Sequence, residues 1–150
     1  KSSKFEIKNY GFTLIELLVA ISIIGVLSSF LLANFVGVRQ RARDGVRKSD
    51  LRQIQSALEL YRSDQSTYPS PLSSCGFSLT SGSTTYMQQI PCDPSTSSSY
   101  TYSVGGGNTT YSIFACLENG NDAQLDKDGS NKPINCTGST TLWKYTLQNP

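Results

Sequence analysis

From Leu17 to Val38 the sequence carries no charged residue, and no other feature limits the fold as much. As an α-helix this run extends about 33 Å at ~1.5 Å per residue, enough to cross the hydrocarbon core of a bilayer. A core helix so long and so uniformly apolar would find little to pack against in a chain of 150 residues. The run is too long for an ordinary secretory signal, and no A-x-A-like cleavage site follows it. It reads as a membrane helix with one anomaly, the carboxylate of Glu16 near its start. An acid in an inserted helix costs about 2.5–3.5 kcal/mol at the centre and less near the edge. Such a group is either hydrated at the interface or paired. Lys8 lies about two turns back and Arg39 about six turns ahead, so neither serves as its partner.

The downstream half points to an oxidising compartment. Cys75, Cys92, Cys116 and Cys136 all follow the apolar run, among Ser/Thr-rich stretches such as "SGSTT" and "STSSS". An even count at wide spacing reads as two disulfides, with free core thiols as the alternative. No C-x2-C pair supports a zinc site. Sequential pairing, Cys75–Cys92 and Cys116–Cys136, is preferred because it closes short loops, although four cysteines leave three connectivities open. Lysines precede the run (Lys1, Lys4, Lys8) and arginines follow it (Arg39, Arg41, Arg43). Charge bias therefore does not orient it, and the cysteines place the C-terminal half outside. The absence of histidine removes Ser-His-Asp, Cys-His and imidazole–zinc chemistry. A formal charge of +2 gives no electrostatic case for a nucleic-acid partner.

Helical periodicity continues to Pro69 without a proline. Leu51, Ile54, Leu58 and Tyr61 recur at steps of three and four on an otherwise polar helix. The helix should stop before "YPSP", where Pro69 and Pro71 disfavour continuation, giving a rod of about 80 Å from Phe12 to about Asp64. Beyond it, "YTYSV" (100–104), "TYSIFACL" (110–117) and "TLWKYTL" (141–147) alternate as strands, and "GGGN" offers a hairpin turn between the first two. Tyr111, Ile113, Ala115 and Leu117 share one face, as do Trp143, Tyr145 and Leu147. The helical stripe covers that sheet. The expected fold is α+β: a long N-terminal α-helix, half membrane-spanning and half amphipathic, packed on a small antiparallel head with disulfide-stapled loops.

The residues "K…YG-FTLIELLVAISIIGVL" resemble the N-terminal signature of the type IV pilin superfamily: a short basic leader, then Gly-Phe-Thr-Leu-Ile-Glu and a long apolar stretch. The resemblance implies cleavage after Gly11 by a prepilin peptidase, which also N-methylates Phe12. It further implies that Glu16 pairs with the Phe12 ammonium of a neighbouring copy in a helical filament, a partner created only by cleavage. "DLRQIQSALELYRSDQSTYPS" (50–70) is similar to the stretch before the head in major pseudopilins of type II secretion systems, and "IPCDPS" (90–95) resembles their later P-x-DP element. Ala33 stands where many members have a proline, and most major pseudopilins lack cysteines.

The segments this implies are a leader at 1–11, a transmembrane and filament-core helix at 12–38, its amphipathic continuation at 39–64 and the head at 65–150. The implied partners are further copies of the chain, the peptidase, an assembly platform with its ATPase, and the cytoplasmic membrane. Function is expected to be structural and not enzymatic, as a major pseudopilin. The alternatives are a surface-pilus subunit for adhesion, motility or DNA uptake, and a membrane-anchored binding module. No cofactor is required. "NGNDAQLDKDGS" (119–130) gathers Asn121, Asp122, Asp126 and Asp128, hard oxygen donors suited to a structural Ca²⁺, with a solvated acidic turn as the alternative. The basic run "RQRARDGVRK" (39–48) is expected to meet lipid headgroups or acids of neighbouring copies. Asn108-Thr-Thr and Asn135-Cys-Thr fit the short N-x-[ST] pattern.

Overall fold

A computed structural model describes residues 11–149, with the side chains of residues 30 and 32–34 left aside. The leader expected at 1–11 therefore lies outside the described residues, apart from Gly11. The order is α1 (Leu14–Gln65), β1 (Leu79–Ser81), β2 (Thr84–Met87), β3 (Thr101–Gly105), β4 (Thr110–Leu117) and β5 (Trp143–Gln148). Two compact units divide the chain, the first ending at Val36 and the second spanning Gly37–Pro150.

Helix α1 is continuous through Ala33 and Gly37, where alanine, unlike proline, leaves the i→i−4 bonding intact. It ends where Ser66 takes a positive φ of 63° and its N–H caps the Arg62 carbonyl at 2.7 Å. A left-handed residue after the last turn, followed by proline, is a common way to stop a helix.

In the second unit, β3-β4-β5 form an antiparallel sheet with β4 central, and β1 and β2 form a separate hairpin. The strands carrying the sheet's alternating faces are the three expected, with ends displaced by one or two residues. Gly106, Gly107 and Asn108, all at positive φ, turn β3 into β4. The Asn108 carbonyl also accepts the Tyr68 N–H at 2.8 Å, tying the turn to the segment after the helix.

The core follows from two periodicities meeting. On α1, Leu51, Ile54 and Leu58 are at most 1% exposed, and on β4, Tyr111, Ile113, Ala115 and Leu117 are buried with them. Tyr145 joins from β5, with Trp143 and Leu147 packed at its edge. Each such Leu or Ile contributes about 1.5–3 kcal/mol by leaving water. Gly120 is required by packing, since a Cβ there would stand 2.6 Å from the Trp143 ring.

Cys75–Cys92 and Cys116–Cys136 are both bonded, the sequential pairing. The first ties the segment before β1 to the segment before β3. The second ties β4 to the long connection that leads into β5.

Candidate functional site

Two regions carry chemistry beyond core packing. In the N-terminal unit, Gly11, Phe12 and Thr13 precede the helix, and Thr13 caps it. The Thr13 N–H and hydroxyl both donate to Glu16 Oε2 at 2.8 Å, and the Glu16 N–H donates to Thr13 Oγ1 at 3.3 Å. This is a reciprocal capping box. Thus a short-range partner for Glu16 exists within its own chain, which the sequence reading missed although T-x-x-E is a recognised start signal. Phe12 is 90% exposed, and the apolar side chains from Leu14 to Leu27, with Val36 and Val38, stand largely in the open. Apolar exposure on that scale marks a surface that meets lipid or another protein.

Among the described residues no helix is long and apolar enough to cross a membrane. From Leu14 to Ser29 the described side chains are apolar apart from Glu16, Ser22, Ser28 and Ser29, over about 24 Å of helix at ~1.5 Å per residue.

The second region is a buried charge cluster in the second unit. Arg47, 3% exposed, spans three carboxylates. Its Nε donates to Asp93 Oδ2 at 2.7 Å, and its Nη1 donates to Asp44 Oδ1 at 2.8 Å and Glu118 Oε1 at 2.9 Å. Its Nη2 reaches Asp93 Oδ1 at 3.2 Å and Ser95 Oγ at 2.7 Å. Arg43 forks onto Glu118. Asp44 in turn accepts the N–H groups of Glu118 and Asn119, each at 2.9 Å. One turn on, Tyr100 donates to Asp50 Oδ2 at 2.7 Å. Asp93, from the "IPCDPS" element, thus locks α1 to the segment before β3, while Glu118 locks it to the end of β4.

The basic run at 39–48 was expected to be neutralised by lipid or by neighbouring copies. The structure corrects this for Arg43, Arg47 and Lys48, which are paired within the chain; Lys48 Nζ lies 2.6 Å from Asp122 Oδ2. The reason is position: residues 44 and 47 continue the rhythm of Leu51, Ile54 and Leu58, so they face the head and not the solvent.

Arg43 holds the Glu118 carboxyl down to about 2, against the opposing effect of burial. For Asp93 burial pulls upward, but Arg47 and the N–H groups of Ser95 and Thr96 prevail and lower it. Burial raises Asp50. A depressed carboxyl stabilises the fold above its unfolded value, near ~4.3 for Glu, and that stability is lost as pH falls through the folded value. Asp50 acts in the opposite sense and offsets part of this. Melting temperature should therefore fall steadily between about pH 4.5 and 2, and the slope should flatten in Glu118→Gln. Thermal scans across that range at constant ionic strength check it.

The loop carrying Asn121, Asp122, Asp126 and Asp128 does not converge its oxygens. Asp122 takes Lys48, and its Oδ1 accepts the Gln124 N–H. Asp126 accepts the N–H and hydroxyl of Thr146 on β5. Asp128 accepts the N–H groups of Ser130 and Lys132, and the Asn121 N–H turns to Asn119 Oδ1. Among the described residues no group of three or more His, Cys, Asp or Glu could hold a metal ion. An ion at a hundredfold its Kd would add about 2.7 kcal/mol, several degrees in a small domain. With each carboxylate already engaged, the melting temperature is expected to be the same in excess calcium and in chelator.

A capped, exposed apolar helix that begins at a Gly-Phe-Thr-Leu-Ile-Glu sequence and ends on an α+β head defines a type IV pilin-like subunit. The prokaryotic N-terminal methylation motif matches residues 7–32. The family described as type II secretion system protein G matches residues 34–137, most of the chain, and the chain belongs to that family. A core protein G of the type II secretion system from Vibrio cholerae is 28% identical over 136 residues, 85% of this chain and 90% of that protein. One from Dickeya chrysanthemi is 31% identical over 99 residues, 59% of this chain and 65% of that protein. A type IV major pilin from Myxococcus xanthus is 32% identical over 75 residues, 50% and 34% of the respective chains. No solved structure matches significantly. The family consists of structural secretion-system subunits, not enzymes, and implies no cofactor.

Proposed function

We propose that this chain is the major subunit of a pseudopilus, the filament of a type II-like secretion system. It enters the cytoplasmic membrane once, with the head outside, and is cleaved after Gly11. The new Phe12 terminus is N-methylated, and its ammonium pairs with Glu16 of a neighbouring copy. An assembly platform and its ATPase draw successive copies into a helical array with apolar helices inside and heads on the surface. The observation that carries this reading is the exposed apolar helix bearing a capped carboxylate within the matched methylation motif. Methylation leaves the amine cationic, so the pair survives as a charge-assisted contact in a dry filament core.

A second reading, a surface pilus for adhesion, motility or DNA uptake, draws support from the Myxococcus pilin match and from the two disulfides. Deletion in the native host separates the two. Loss of protein export with unchanged surface fibres supports the pseudopilus, whereas loss of sheared surface fibres with normal export overturns it in favour of the pilus.

A further inference from the structure

The two edges of the three-stranded sheet differ. Along β5 the Lys144 N–H donates to the Ile134 carbonyl at 2.8 Å, and the Lys144 carbonyl accepts the Asp126 N–H at 2.9 Å, so the long connection covers that edge. β3 forms the other edge. Its register with β4 runs from Thr101 to Gly105 without a bulge, and its sequence TYSVG holds neither proline nor charge. Bulges, prolines and charges are the devices that normally keep an exposed edge from pairing with another chain.

A cavity of about 320 Å³ lies beside this strand. Tyr102, Ser103 and Val104 all line it. Consecutive strand residues point to opposite faces, so the cavity follows the edge and not one face. Residues 70–74 form the opposite wall, with Ile54 and Ile90 at the base. Both ends are tied: the Tyr68 N–H donates to the Asn108 carbonyl at 2.8 Å, and the Cys75 N–H donates to Ser99 Oγ at 2.9 Å. Between these ties, among the described residues, no backbone hydrogen bond joins 70–74 to β3, and Pro71 has no N–H to offer. The Cys75–Cys92 disulfide pins the wall at one end, so the slot is formed before anything enters it. No residue lining it is charged. The Tyr100 and Tyr102 hydroxyls are engaged by Asp50 and the Pro69 carbonyl, and Ser103 Oγ pairs with Ser112 Oγ. What β3 still offers is the outward N–H and C=O of alternate residues, a pattern that an extended peptide matches and a sugar or lipid does not.

We propose that this slot takes up an uncharged, extended segment of another polypeptide, which adds to β3 as a fourth strand. One apolar side chain of that segment lies between Leu72 and Val104, both only partly buried against the core. The inference is independent of the filament reading.

The test is residue-resolved amide hydrogen exchange on the detergent-solubilised full chain, with a blocked heptapeptide that alternates threonine and valine. At about ten times its dissociation constant the peptide should slow exchange of the outward β3 amides about tenfold. The same peptide methylated on every backbone nitrogen keeps its side chains but donates nothing to a ladder, and it should leave β3 unchanged. Equal slowing by the methylated peptide overturns strand addition, because side chains alone would then account for binding. Protection confined to β1 or β2, or none anywhere with peptide at about 1 mM, overturns it as well.

Discussion

Arg47→Met is expected to destabilise the head by about 3–5 kcal/mol, the usual cost of stripping one partner from a buried ion pair. The arginine is 3% exposed and alone bridges Asp44, Asp93 and Glu118. Without it Asp44 keeps its two backbone donors and Glu118 keeps Arg43. Asp93 loses its cation and retains only the N–H groups of Ser95 and Thr96. Domains of this size have only about 5–15 kcal/mol in total, so the variant should melt far below the wild type. Lysine in place of Arg47 is expected to recover only part of the loss, because an ammonium cannot reproduce the fork that meets Asp93 with two nitrogens. Adding Asp93→Asn to Arg47→Met should restore some stability by removing the uncompensated charge. Denaturant unfolding of the detergent-solubilised full chain reads all three, and a loss under about 1 kcal/mol in Arg47→Met would show that the cluster contributes little.

Glu16→Gln should abolish filament assembly while leaving the head's melting temperature unchanged. The choice of glutamine separates two roles of the same side chain. Glutamine still completes a capping box with Thr13, so the helix start is preserved and only the charge is lost. Leaving a neighbour's Phe12 ammonium without its carboxylate in a dry filament core costs about 3–5 kcal/mol, or a factor of roughly 10² to 4 × 10³ in subunit incorporation. Filament yield after shearing, normalised to membrane-bound protein, measures it. Full assembly by Glu16→Gln would mean that the glutamate serves the helix cap and nothing more.

Much of this architecture is legible in the sequence because it is written in long periodic signals. The stripe from Leu51 to Leu58, the alternation through Tyr111 to Leu117, the "GGGN" turn and the stop before Pro69 each follow from one local rule. The β1–β2 hairpin is not legible, since three- and four-residue strands rich in Ser and Thr carry no period. The buried cluster is the more instructive omission. Asp44 and Arg47 fall in register with Leu51, Ile54 and Leu58, yet their charge reads as solvent-facing, and their partners Asp93 and Glu118 lie 46 and 71 residues from Arg47. Extending the stripe upstream regardless of polarity would have placed both on the buried face. Asp122 and Asp126 read as metal ligands because proximity in sequence cannot show that Lys48 and Thr146 already engage them. Glu16 was legible as an anomaly, while its cap by Thr13 was hidden within a motif read for cleavage, methylation and pairing with a neighbouring copy.

The intact mass of the protein extracted from native-host membranes, with fragmentation from the N-terminus, shows whether the chain is processed. The expected product is a chain beginning at Phe12 and carrying one methyl group on its amine. A chain that still retains residues 1–11 would contradict it, for Glu16 would then never meet a neighbour's Phe12 ammonium.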